Sequence, residues 1–231
     1  MDSNKKLARI AGLLYLIVVV TGVVSLIYVP SQITVPGDAS ATVSNIVAYG
    51  FLFRLGIVSG LICYTAFLLL PLALYKLLSP VGRNAAALMA VLAIVSVPIS
   101  FVALLYKLDV LSLLSGAGYM QAFTTDQLNA RVMLLLDSYN NGILLSGVFW
   151  GLWLLPFGYL VFRSGFLPRI LGILLMIGCF GDVFDVFGRV LFVGYADTAL
   201  ANFVTLPGSF GEIGTCLWLL IMGARASEAR S

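Results

Sequence analysis

Six long apolar runs, each bounded by short polar breaks, constrain this chain more than any other feature. A bilayer core is crossed by about 20 consecutive apolar residues in a helix. The runs fall at residues 10–29, 50–76, 84–106, 137–162, 168–192 and 207–222. Together they account for most of the 61% of the 231 residues that is apolar, while only 10% is charged. A soluble globule of this size cannot hide so much apolar surface. A soluble domain, a disordered chain and a nucleic-acid binder are therefore excluded. The fold class expected is all-α: one polytopic bundle of six transmembrane helices, residues 1–231 forming a single domain.

Absences narrow the chemistry. The chain has no histidine. That removes the commonest general base, metal ligand and pH switch, and with them Ser-His hydrolases and H-E-x-x-H peptidases. Cys63, Cys179 and Cys216 are far apart in sequence and lie in apolar runs. They read as small hydrophobes, not as a redox or metal site. No metal and no cofactor is expected.

The first run follows Lys5, Lys6 and Arg9, and its only A-x-A-like triplet, Ala39 to Ala41, lies beyond Pro30 and Pro36. It reads as an uncleaved anchor helix and not as a signal peptide. Residues 30–44 read as a polar loop. The third helix is expected to continue past residue 106, through Leu114, and to end near Gly116 and Gly118. Thr124 can cap the next helix, with Gln127 three residues on. A helix from there to Phe162 would be roughly 55 Å long, against a bilayer core of about 30 Å. Residues 107–136 should then project outside as a helical hairpin. Arg163 to Arg169 reads as a tight loop, with Pro168 suited to the first turn of the next helix.

Orientation follows from the loop charges. Lys5, Lys6, Arg9, Lys76, Arg83, Arg163, Arg169, Arg225 and Arg230 share one side if both termini do, against Lys107 and Arg131 on the other. Both termini are expected in the cytoplasm, in the plasma membrane of a bacterium. Trp153, Tyr159 and Phe162 suit an inner aromatic belt, with Trp153 rather deep for it. Gly56-x-x-x-Gly60 and Gly147-x-x-x-Gly151 read as packing motifs within the bundle. Pro71, Pro98 and Pro156 interrupt spans as kinks.

Charges inside the spans are costly and persist when they pair or face a wet cavity. Gly178, Asp182, Asp185 and Arg189 are spaced by four, three and four, which places them on one helical stripe. Asp185 and Arg189 stand in the favourable acid-first order for an ion pair. Arg54, Glu212, Asp137 and Asn141 are expected at the same depth, in the outer half of the bundle. These four acids and two bases carry a formal −2, which invites a proton, a cation or a basic group. The cluster reads as a salt-bridge network fixing the packing, as an outward polar cavity for a small ligand or ion, or as catalytic carboxylates.

The chain also resembles the bacterial domain-of-unknown-function family 4386, polytopic membrane proteins. The likeness rests on Arg9-Ile10-Ala11-Gly12-Leu13-Leu14-Tyr15, on Asn45-Ile46 through Phe53-Arg54-Leu55-Gly56, and on Leu74-Tyr75-Lys76-Leu77-Leu78. It continues in Gly158 to Arg169 and in Gly211-Glu212 with Leu217-Trp218-Leu219-Leu220. The resemblance implies the six-span fold and supplies no substrate. Arg54 and Glu212 match its pattern; Gly181-Asp182 stands where Gly-Tyr-Leu is expected.

Three functions compete. One is a membrane protein that binds or moves a small solute, ion or lipid through the polar cavity, with membrane lipid as its surroundings. The second is a structural or regulatory subunit presenting the 107–136 hairpin to a partner. The third is an intramembrane aspartyl enzyme pairing Asp137 with Asp182. The aspartyl proteases of membranes carry Gly-x-Gly-Asp, and Gly178-Cys179-Phe180-Gly181-Asp182 misses that spacing by one residue.

Overall fold

The computed structural model describes residues 3–116, 118 and 123–224. Among them it is all-helical, and six helices are long and apolar enough to cross a membrane: Asn4–Ile33, Gly50–Leu78, Arg83–Leu113, Thr125–Arg163, Arg169–Leu191 and Ala199–Ile221. The protein is built as a multi-pass membrane protein. Its outward faces carry large apolar side chains such as Phe51, Val102, Phe180, Leu191 and Phe210, as a lipid-facing surface requires.

The first span is α1, Ser3–Gly22, then a π-helical stretch, Val23–Tyr28, then α2, Val29–Ile33. The polar segment expected as a loop at 30–44 is largely helical. Pro30 stands at the start of α2, directly after the π-helical stretch. A second helix, α3, covers Ala39–Ala48. Asp38 starts it, accepting from the Ala41 amide at 2.8 Å. The Thr42 hydroxyl takes the Val35 amide at 3.0 Å, and the Asn45 amide donates to the Ile33 carbonyl at 3.1 Å. The polar residues that suggested a loop are thus the caps and ties of two short helices.

Then follow α4, Gly50–Leu78, α5, Arg83–Leu113, and α6, Thr125–Arg163. Pro71, Pro98 and Pro156 lie inside these helices. The start of α6 is the reciprocal cap read from sequence: the Gln127 amide donates to the Thr124 hydroxyl at 3.3 Å, and the Thr124 amide to the Gln127 side chain at 3.0 Å. In the loop at 163–169, Ser164 accepts from the Leu167 amide at 3.2 Å, and Gly165 takes φ +72°. Pro168 is the N-cap of α7, Arg169–Leu191, one residue outside the helix it was expected to open. A 3-10 turn, Tyr195–Asp197, leads into α8, Ala199–Val204, and α9, Leu206–Ile221. Residues 225–231, with Arg225 and Arg230, lie outside the described residues.

The described chain groups into two compact units. One holds the stretch to Ile17, Ala66–Val97 and Leu144 onward; the other holds Val18–Thr65 and Pro98–Ile143. In the first, glycine brings helices together. A Cβ on Gly178 would strike the Gly208 backbone, and one on Gly181 the Val204 carbonyl, so α7 lies directly on the last span. Gly12 meets the Leu220 backbone in the same way, at 2.5 Å. Gly147 and Gly151 seat α6 on Val186 and Val183 of α7. In the second unit, Gly56 and Gly60 seat α4 on Val29 and Ser25. Both small-residue motifs therefore pack helices within this chain.

Two expectations are corrected. Trp153 is a core residue, 1% exposed, and stacks on Phe157 with centroids 5.0 Å apart; it is buried among its neighbours and not part of an interface belt, for which it already stood rather deep. Lys107 is no loop charge. It lies inside α5 and is 4% exposed, because the helix runs on past residue 106 and packs there.

Candidate functional site

The charged stripe of α7 faces two different environments. Asp185 and Arg189 form the expected ion pair, Nε to Oδ2 at 2.7 Å, with the arginine side chain 38% exposed. The other Asp185 oxygen faces the Tyr195 hydroxyl without closing a hydrogen bond of good geometry. Gly188 leaves room for the Tyr195 ring, which would lie 2.7 Å from a Cβ there.

Asp182 is half-buried and looks toward α9. Its Oδ2 would lie 3.5 Å from a Cβ on Gly208, and Glu212, one turn along α9, acts on it more strongly than Asp185 of its own helix. The lack of side chains at Gly178 and Gly208 brings these two helices close enough for that. Glu212 is held by Tyr15 of α1, whose hydroxyl donates to Oε1 at 2.8 Å across 197 residues of sequence. The Tyr15 ring is 1% exposed and tilts against Trp153 at 6.3 Å and Phe157 at 6.4 Å. Phe67 meets Trp153 edge-on at 5.3 Å. Glu212 thus stands at the edge of an aromatic cluster, with Asp182 as a second acid on which it acts. Among the described residues no basic side chain lies within 4 Å of either.

The predicted residues separate accordingly. Asp182, Asp185, Arg189 and Glu212 belong to one unit, paired as Asp182 with Glu212 and Asp185 with Arg189. Arg54, Asp137 and Asn141 belong to the other unit and have exposed side chains. Sequence reading missed Tyr15, Trp153, Phe157 and Phe67. One signal was available: Ala8, Ala11 and Tyr15 form a helical stripe ending in a hydroxyl inside an apolar run, and all three are buried. A buried tyrosine hydroxyl needs a partner.

The arrangement can hold a positive charge or a proton. Two acids in an apolar setting interact strongly, since little water screens them. Aromatic faces attract cations as well. Among the described residues, no group of three metal-type ligands exists.

An uncharacterized protein of the archaeon Archaeoglobus fulgidus is 34% identical over 160 residues, covering 69% of this chain and 78% of that protein. Likeness to this chain is therefore not confined to bacteria. No solved structure matches it. The family described as "Domain of unknown function (DUF4386)" matches residues 10–223, nearly the whole length. The chain belongs to the DUF4386 family.

Proposed function

We propose that this is a solute-binding membrane protein that takes a small cation, or the cationic group of a small solute, between Glu212 and Asp182, as a step in binding or moving it. The observation that carries this reading is a pair of carboxylates on touching helices with no basic partner among the described residues, one of them fixed by Tyr15 beside an aromatic cluster. Burying charge without compensation is expensive, so an acidic pair of this kind favours a positive occupant. The excess of Lys and Arg on one set of loops supports cytoplasmic termini and a place in the cell membrane.

The test uses the purified protein in lipid nanodiscs. Tryptophan emission is followed while tetramethylammonium, or sodium, replaces a bulky cation at constant chloride. Trp153, packed on Tyr15, should report a saturable change. Glu212→Gln and Asp182→Asn should each lose it, while remaining monodisperse. A wild-type protein indifferent to both cations, or variants that respond as it does, would overturn the proposal.

A further inference from the structure

The second unit holds a polar cluster of the opposite sign. Lys107 of α5 is 4% exposed, and its ammonium lies 3.8 Å from the centre of the Tyr139 ring. Among the described residues, no carboxylate lies within 4 Å of it. Around the same tyrosine are three buried hydroxyls, its own and the two that face it: Tyr139 at 3% exposure, Tyr64 at 2% and Ser25 at 1%. The Tyr139 hydroxyl stands between those of Tyr64 and Ser25, yet none of the three closes a hydrogen bond of good geometry.

Local structure places these groups deliberately. Ser25 is carried by the π-helical stretch, where the Val29 amide reaches back five residues to the Val24 carbonyl. Such wide turns are rare and gather at functional sites. Gly60 of α4 clears the space beside it, since a Cβ there would sit 3.0 Å from the Ser25 hydroxyl. Tyr64, one turn further along α4, is held edge-on by Phe101 at 5.9 Å.

We propose that this cluster is an anion-binding site, in which the Lys107 ammonium and the hydroxyls of Tyr139, Tyr64 and Ser25 hold a monoanion, a free halide or the phosphate of an anionic lipid. Every group in it can donate a hydrogen bond. The face of the Tyr139 ring offsets only part of the cost of burying an ammonium. Water would satisfy the hydroxyls but would leave the charge unanswered; an anion answers both. The site lies within one unit and does not depend on the carboxylate reading.

The test is thermal unfolding of the protein in phosphatidylcholine nanodiscs, with chloride or bromide replacing gluconate at constant potassium. A ligand that binds only the folded state raises the midpoint with each increment above its dissociation constant. The wild-type midpoint should climb by roughly 3 °C per tenfold chloride once the site is filling. Lys107→Met should abolish the climb. Ser25→Ala with Tyr139→Phe keeps the charge and should weaken the response at least tenfold, which covers the case of a Lys107 variant that fails to fold. Discs containing phosphatidylglycerol identify the source. A wild-type midpoint already raised there, indifferent to chloride and sensitive to Lys107→Met, assigns the anion to a lipid phosphate at the same site. A midpoint flat in halide in both lipids, or a climb that survives Lys107→Met, would overturn the proposal.

Discussion

Glu212 and Lys107 carry opposite charges inside apolar helices, and their surroundings differ in kind. Glu212 has a donor already in place, Tyr15 at 2.8 Å, and a second acid nearby. Lys107 lies on the face of Tyr139, whose hydroxyl and the two facing it close no hydrogen bond of good geometry among the described residues. The first is a satisfied hydrogen bond with an excess of negative charge. The second is an unsatisfied set of donors with an excess of positive charge. A buried polar group is stabilising only to the extent that its own partners are present. The two regions therefore should respond in opposite ways when each is made apolar.

The helix seam beneath the acidic site gives the largest expected effect. Gly178→Val pushes a branched side chain into the Gly208 backbone, which cannot move aside. It should abolish monodisperse protein on size-exclusion chromatography. Gly60→Ala in the other unit meets only side-chain tips of Ser25 and Leu104, at 3.0 and 3.2 Å. It should fold, with a loss of about 1–3 kcal/mol in thermal or denaturant unfolding. If both glycines prove equally tolerant, the contrast between a backbone seam and a side-chain contact is wrong.

Next come the charges themselves. Glu212→Leu strands the buried Tyr15 hydroxyl and should destabilise by about 1–3 kcal/mol. Lys107→Met, in halide-free buffer and phosphatidylcholine, should instead stabilise, on the order of 2 kcal/mol, because it removes a buried charge that has no carboxylate partner among the described residues. Equal signs for the two would erase the distinction between the two regions. Smaller still is Thr124→Ala, which removes the cap at the start of α6. It should cost about 1 kcal/mol and show as faster amide exchange confined to the first turn of that helix. The smallest effect belongs to Arg189→Ala. Its pair with Asp185 is partly exposed, and such pairs on helices contribute about 0.3–0.5 kcal/mol.

The elements legible in the sequence were those set by neighbours in the chain. Six spans follow from run length, the α6 cap from Thr124 and Gln127, and the Asp185–Arg189 pair from helical spacing. Residues 30–44 misled because prolines and polar side chains signal both loops and helix ends; which one they make depends on whether their hydrogen bonds close, as Asp38 and Asn45 show. The acidic site was half legible. A carboxylate in an apolar run stands out, whereas the tyrosine that holds it is 197 residues away and looks like any other apolar residue. Lys107 was hidden for the opposite reason. It stands near the expected end of a span, where a lysine is ordinary, and its burial is created by Tyr139 from a different helix.

The glycine seam between α7 and α9 also bears on how the chain is made. The last span, Ala199–Ile221, is the least apolar of the six and carries Glu212. Attraction between helices already in lipid comes from close van der Waals fit, not from expelling water. During synthesis α7 emerges first, so its bare glycine face stands in the bilayer before α9 arrives. The weakest segment thus enters beside a surface shaped to receive it. Its residence in the membrane is secured by a neighbour as well as by its own affinity for lipid.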